Sequence, residues 1–299
     1  MIWLVGDRGM LGAELAEAFS RKGIGFVGTG REVDILDPEC LAKFAAGRGI
    51  SWIVNCAAYT KVDRAEGEVE AEACRRLNAE GPAKLARLTR GIGARLLQIS
   101  TDYVFDGSEE RPRREDEAVS PLSVYGRTKA EGEALVMAEA PDSIILRTAW
   151  LYGRHGPNFV LTMLGLMKER DEVGVVADQR GSPTWARDLS DAIAVILGQP
   201  SPEPGIYHFT DSGEASWWDF ACEIERLGRE NGILGKPCSV RALTTEEYPS
   251  RARRPASSIL STGKILATFG IRPPAWQESL AEFVKEVAAS QRGPMGADR

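Results

Sequence analysis

The chain has 299 residues, 43% of them hydrophobic, and a formal net charge of −6, so it can bury one large core or two adjoining domains. Its positive charge is scattered rather than clustered, which gives no footprint for nucleic acid or an anionic membrane surface. Five cysteines never at C-x-x-C spacing, and only two histidines, His155 and His208, leave little material for a disulfide framework, a zinc centre or a Ser-His-Asp triad.

The first apolar run has no basic leader ahead of it, and no apolar run reaches about 20 residues. The expectation is a cytoplasmic protein that acts on a small molecule and binds neither nucleic acid nor membrane. Short apolar, β-branched-rich runs recur at 2–6, 25–29, 52–57, 95–100 and 143–149, with helical periodicity between them at 10–22, 71–90 and 124–140. Strands that are hydrophobic throughout are buried on both faces, as in a parallel sheet covered by helices. This is an α/β pattern, a doubly wound parallel Rossmann sheet. Beyond residue 150 come a helix at 158–169, a strand at 173–177, a helix at 186–198, then "GIYHFT" and "SWWDFACEIERLG". The expected organisation is a nucleotide-binding domain over 1–150 to which part of 172–200 returns, a smaller α/β substrate-binding region over 151–290, and a flexible tail over 291–299.

The first strand runs into "GDRGMLG", which places Gly6, Gly9 and Gly12 around Met10 and Leu11 at the opening of a helix. Glycines there permit a tight turn and close approach of a pyrophosphate, and the helix N-terminus offers free N–H groups. A dinucleotide is expected. After the second strand, "GTGREVDILD" carries Arg31 where an NAD site usually has an acid, so Arg31, aided by Arg8, favours the 2′-phosphate of NADPH. Glu32 beside it keeps NADH open. Asp34, next to Ile35, is a candidate for the adenine amino group or for a helix entry.

"SVYGRTKAEGE" (123–133) sets Tyr125 four residues before Lys129 on one helix face. Chance produces such a pair in about one chain in five of this composition, so its meaning comes from context. Delivery of a hydride to a ketone leaves an alkoxide that needs a proton. A phenol, with a pKa of about 10, donates more readily when a cation stabilises the tyrosinate it leaves. Tyr125 is therefore the expected proton donor and Lys129 its tuning cation. "LLQIST" ends a strand where ligands gather in open α/β sheets, and the Thr101 hydroxyl there can polarise a carbonyl.

The glycine turn, "NCAAYTKVD", "STDYVFDG", "PLSVYGRTKAEGE", "RTAWLYG", "DQRGSPT", "YHFTDSGEASWWDFA" and "RRPASSIL" occur in that order. Together they resemble the extended short-chain dehydrogenase/reductases and, within them, the dTDP-4-dehydrorhamnose reductase family, over nearly the whole chain. The resemblance implies reduction of the C4 ketone of dTDP-4-dehydro-L-rhamnose to dTDP-L-rhamnose, a donor for cell-surface polysaccharides. It also implies that Ala57, Ala58 and Tyr59 border the cofactor, that Asn78 links its helix to the third strand, and that Lys129 holds the nicotinamide ribose. Asp102, Tyr103, Trp150 and Arg180 are the further substrate-binding candidates, with Asp63 and Arg254 as weaker ones. Related nucleotide-sugar 4,6-dehydratases carry Asp-Glu after the threonine; here Tyr103 replaces that glutamate, which points to carbonyl reduction. Two rival readings stay open, a reductase or epimerase of another nucleotide sugar and a non-catalytic NADP-binding regulatory subunit. Some family members dimerise through Mg²⁺ held by glutamates. Glu14 supplies one, but Arg187 stands where another acid is expected, so the metal is in doubt while a homodimer is left open.

Overall fold

The computed structural model describes residues 1–291. In chain order, the first part contains β1 (Ile2–Val5), α1 (Met10–Arg21), β2 (Phe26–Thr29), α2 (Pro38–Ala45), β3 (Trp52–Asn55), α3 (Glu68–Arg75), α4 (Gly81–Ile92), β4 (Arg95–Thr101), α5 (Val124–Glu139) and β5 (Ile144–Thr148). It continues through β6 (Leu151–Tyr152), α6 (Phe159–Glu169), β7 (Glu172–Val176), β8 (Arg180–Gly181), β9 (Thr184–Trp185), α7 (Ala186–Leu197) and β10 (Gly205–His208). The last elements are β11 (Ala215–Ser216), α8 (Trp217–Glu230), β12 (Ser239–Leu243), α9 (Gly263–Phe269) and α10 (Trp276–Gln291).

Six strands form one sheet in the order β10-β5-β4-β3-β1-β2, every pair parallel. All residues of β1, β3 and β5 are buried, because successive side chains enter opposite helical layers. Leu4, Val54, Leu97 and Leu146 meet Leu15 and Phe19 of α1 and Leu189 and Ile193 of α7. Trp3, Ile53, Leu96 and Ile145 meet Leu41 of α2, Leu85 of α4 and Val136 of α5. Each such side chain contributes about 1.5–3 kcal/mol on burial, which is why the strands read as unbroken apolar runs.

The return to this sheet is longer than the expected 172–200. Helix α7 lies in the same apolar layer as α1, and β10, beyond that range, pairs with β5 as an edge strand. By contrast, β7 pairs with β12 outside the sheet. A second core gathers α6, α8 and α10 around Tyr152, Trp185, Phe220 and Phe283. Helix α8 opens with a reciprocal cap in which Ser216 and Asp219 bond each other's backbone.

The single helix expected at 71–90 is interrupted by a π-helical turn at Arg76–Glu80. Pro82 has no N–H for the carbonyl of Asn78, four residues earlier. That turn is also pressed by α5, since a Cβ on Gly132 would lie 2.1 Å from the Asn78 carbonyl oxygen. Helix α2, absent from the expected pattern, starts where the Asp37 side chain accepts from the N–H groups of Glu39 and Cys40, with Pro38 in its first turn. Among the described residues no helix is long and apolar enough to cross a membrane. Of the expected tail, Gln291 closes α10, and 292–299 lie outside the described residues.

Candidate active site

At the C-terminal end of β1, Gly6 has φ +81°, where a side chain is strained, and a Cβ on it would lie 2.8 Å from the Ala57 nitrogen. A Cβ on Gly12 would lie 2.1 Å from the Gly6 carbonyl oxygen, so α1 starts in direct contact with the turn. Gly9 is the N-cap of α1 and provides no side-chain cap, which leaves the first N–H groups, at Met10 and Leu11, open to a ligand. The Leu11 side chain itself is buried in the core beneath. A cleft of about 530 Å³ opens here, bounded by Gly6, Arg8 and Gly9, by Arg31, Asp34 and Ile35, and by Ala57 and Ala58. This glycine cradle, its open helix end and the flanking arginines fit a dinucleotide.

Glu32 accepts from the Gly30 N–H at 2.6 Å and reaches Arg8 at 3.6 Å. The Gly30 hydrogen bond, ahead of the Arg8 charge, holds its carboxyl below the usual range. Asp34 accepts from the Leu36 N–H at 2.8 Å and holds a turn, while Asp37 takes the helix entry. Tyr59 does not line this cleft. Its phenol donates to Glu70 Oε2 at 2.5 Å, and its backbone N–H and carbonyl are both held by the Asn78 side chain, at 2.9 and 3.1 Å. The link from Asn78 to the chain after β3 is thus direct.

Strand β4 delivers Thr101 to the same end of the sheet. Its hydroxyl donates to Asp102 Oδ1 at 2.8 Å, accepts from the Tyr103 N–H at 3.2 Å, and lies beside the Tyr125 phenol. Tyr125 is brought there by the start of α5, where Ser123 accepts from the Gly126 N–H at 3.1 Å. Gly126 is required for that approach, since a Cβ on it would lie 2.2 Å from the Tyr103 carbonyl oxygen. Burial pushes the Tyr125 phenol above its ordinary range, opposed by the neighbouring Thr101 hydroxyl. Lys129, one turn on and 4% exposed, donates from Nζ to the Ile99 carbonyl at 2.6 Å. Burial lowers its ammonium to about 8, opposed by Glu133. The expected tuning of Tyr125 by Lys129 is therefore not visible: burial dominates the phenol and the ammonium is turned to β4.

Asp102 departs from its expected place in the substrate cleft. It is 2% exposed and lies behind Thr101, and burial raises its carboxyl to about 6. Tyr103 packs edge-on against Tyr125 with centroids 5.8 Å apart and lies beside Arg254, which donates to Asp63 Oδ2 at 2.7 Å. The sequence presented Asp63, Tyr103 and Arg254 as separate candidates; the fold joins them beside Tyr125. Arg254 also lines a pocket of about 220 Å³ walled by Phe159, Met163, Val176 and Trp217.

Trp150 sits at φ +47°, the one non-glycine residue with positive φ among those described, a strained conformation for a bulky side chain. Its indole stacks on Trp217 at 3.6 Å with 8° between the planes. A Cβ on Gly181 would lie 2.4 Å from that indole. Arg180, its neighbour in β8, points the other way, as strand alternation requires. Its guanidinium is 62% exposed and bonds Glu214 at 3.2 Å, outside both clefts, contrary to the expected substrate contact. Trp217 carried no sequence signal beyond an amphipathic helix start.

The residues around Glu14 do not fit a divalent cation. Arg187 forks onto Glu286 at 2.5 and 2.7 Å, lies 3.8 Å from Glu282, and covers the Trp185 ring at 4.1 Å. Its fixed positive charge already answers these carboxylates. Glu14 is 1% exposed and accepts from the Arg154 N–H at 3.3 Å.

A parallel six-stranded sheet with a glycine cradle at the end of β1, and Tyr125 and Lys129 on a helix beside Thr101, define an extended short-chain dehydrogenase/reductase. Residues 1–289 match the family model described as the RmlD substrate binding domain, and the chain belongs to that family, the dTDP-4-dehydrorhamnose reductases. It is 42% identical over 305 residues to the dTDP-4-dehydrorhamnose reductase of Streptomyces griseus, covering 99% of this chain and 97% of that one. It is 39% identical over 300 residues to a probable dTDP-4,6-dihydroxy-2-methyloxan-3-one 4-ketoreductase of Streptomyces antibioticus, covering 98% of each. The crystal structure of the dTDP-4-dehydrorhamnose reductase of Bacillus anthracis str. Ames in complex with NADP superimposes with a TM-score of 0.89 at 34% identity, over 95% of this chain and 98% of that one. The protein is an NAD(P)H-dependent oxidoreductase.

Proposed function

We propose that this chain reduces the C4 ketone of dTDP-4-dehydro-L-rhamnose to dTDP-L-rhamnose in the cytoplasm, with NADPH preferred over NADH. The observation that carries the chemistry is the grouping of three side chains, with the Tyr125 phenol beside the Thr101 hydroxyl at the end of β4 and Lys129 one turn further along α5. The nicotinamide, when bound, supplies the hydride. Tyr125 gives its phenolic proton to the substrate oxygen, and its raised pKa keeps that proton in place across the working pH range. Lys129 supplies the cation that the resulting tyrosinate needs, and Thr101 donates to the same substrate oxygen once its proton turns from Asp102. Arg254 and the apolar pocket beyond it suit a diphosphate and a base, and Trp150 stacked on Trp217 gives the 6-deoxy sugar an apolar wall.

A related 4-keto dTDP-sugar is the second reading, favoured by the resemblance to the 4-ketoreductase. Purified protein with NADPH and a panel of 4-keto nucleotide sugars separates them. The highest kcat/KM is expected on dTDP-4-dehydro-L-rhamnose. Turnover of another sugar alone overturns the substrate, and cofactor binding without turnover of any sugar supports a regulatory subunit. For the cofactor, Arg31→Ala is expected to raise KM for NADPH about tenfold more than for NADH, as loss of one hydrogen bond to a charged group would. Equal effects on the two cofactors remove Arg31 from the phosphate site.

A further inference from the structure

Glu133 follows Lys129 by the same four-residue step that separates Lys129 from Tyr125, so the three side chains form a column along one face of α5. Glu133 is 5% exposed and is gripped from two strands. Ser100 of β4 donates to Oε1 at 2.5 Å, and Arg147 of β5 forks onto the carboxylate, Nε to Oε1 at 2.9 Å and Nη2 to Oε2 at 2.6 Å. Arg147 is fixed in turn, with Nη1 3.3 Å from His208 Nε2 and the guanidinium 5.0 Å from the Phe105 ring centre. A buried ion pair of this kind is a weak source of stability, since well-packed apolar residues serve as well. Its place beside Lys129 gives it another use.

Burial is what opposes a charge on Lys129. Cys56, after β3, and Cys74, on α3, face it as thiols that burial raises, Cys56 to about 12, and the Ile99 carbonyl holds Nζ from β4. Glu133 is the first-ranking influence that favours the ammonium against burial.

We propose that Glu133 is a positioning residue for Lys129, and that its carboxylate, pinned by Arg147 and Ser100 one helical turn away, keeps Lys129 cationic in a desolvated cleft. Pinning is part of the device. A glutamate free to swing would close onto Nζ and draw it out of the cleft; held by two neighbours it acts across a gap, and the two make no direct ion pair among the described residues. The ammonium's remaining N–H bonds stay available on the cleft side. This rests on the role proposed for Lys129, which requires a cation.

The test is a ¹³Cε-lysine NMR titration of the ligand-free protein, with the Lys129 signal assigned from Lys129→Arg, alongside the pH dependence of kcat. The wild-type midpoint is expected near 8. Glu133→Gln, which keeps the shape and one acceptor oxygen, is expected to lower it by about one unit and to move the basic limb of kcat by the same amount. Glu133→Asp is expected to restore the midpoint. If Glu133→Gln does not fold, Glu133→Gln combined with Arg147→Met leaves no unmatched charge and is expected to show a lowering in the same direction but smaller, because no stranded Arg147 cation adds to it. An unchanged midpoint in either variant overturns the proposal. A midpoint that falls in a protein inactive on every sugar upholds the coupling and overturns the function instead.

Discussion

Tyr125→Phe lowers kcat by about 100- to 10,000-fold, the usual worth of a positioned general acid, with cofactor affinity nearly unchanged. The expectation follows from how little the phenol oxygen does structurally. Beside it stands the Thr101 hydroxyl, which keeps its own bond to Asp102, whereas the ring keeps its edge-on contact with Tyr103, and phenylalanine preserves that contact. Steady-state kinetics with a parallel cofactor titration checks the split between kcat and binding. A wild-type kcat in the variant would move the proton source elsewhere, and Asp102, raised by burial to about 6 and bonded to Thr101, would be the next group to replace. The pH profile has a defined sign. Because Tyr125 titrates above its ordinary range, activity on the basic side is limited first by Lys129, and kcat falls as pH rises through about 8.

The central sheet was readable because its strands are covered on both faces, which forces the run of apolar residues seen at Ile2–Val5 and Ile144–Thr148. The site was readable where a residue type carries the chemistry by itself: Gly6 and Gly12 because a Cβ cannot fit, Tyr125 and Lys129 because a helix places them on one face. Legibility ended where long-range packing decides. Four residues at Gly205–His208 look like any short strand until their pairing with β5 is known. Arg180 follows a suggestive motif, yet Gly181 takes the inward side against Trp150 and leaves the arginine outside. Asp63, Arg254 and Tyr103 lie up to 191 residues apart and acquire meaning only as one group of neighbours, with Arg254 bonded to Asp63 and beside Tyr103. Glu133 was visible in "SVYGRTKAEGE" but mute, because its partners come from two strands.

Arg147→Met destabilises the protein by about 3–5 kcal/mol, the cost of stranding one member of a buried ion pair. Both side chains are nearly inaccessible, 2% and 6% exposed, so solvent screening offers little relief. The variant leaves Glu133 with Ser100 as its one hydrogen-bond donor among the described residues, and it strips a cation from the Phe105 face and from His208 Nε2. Urea unfolding at neutral pH measures the loss. Adding Glu133→Gln to Arg147→Met is expected to return more than half of it, because a neutral amide needs no counter-charge; a purely additive double variant would mean that the pair is held by packing and not by charge. In the single variant the freed carboxylate still faces the Lys129 ammonium one turn back along α5. The Lys129 midpoint is therefore expected to rise above 8, opposite in direction to the fall in Glu133→Gln, so the strand-side arginine sets how strongly the helix glutamate acts on the catalytic cleft.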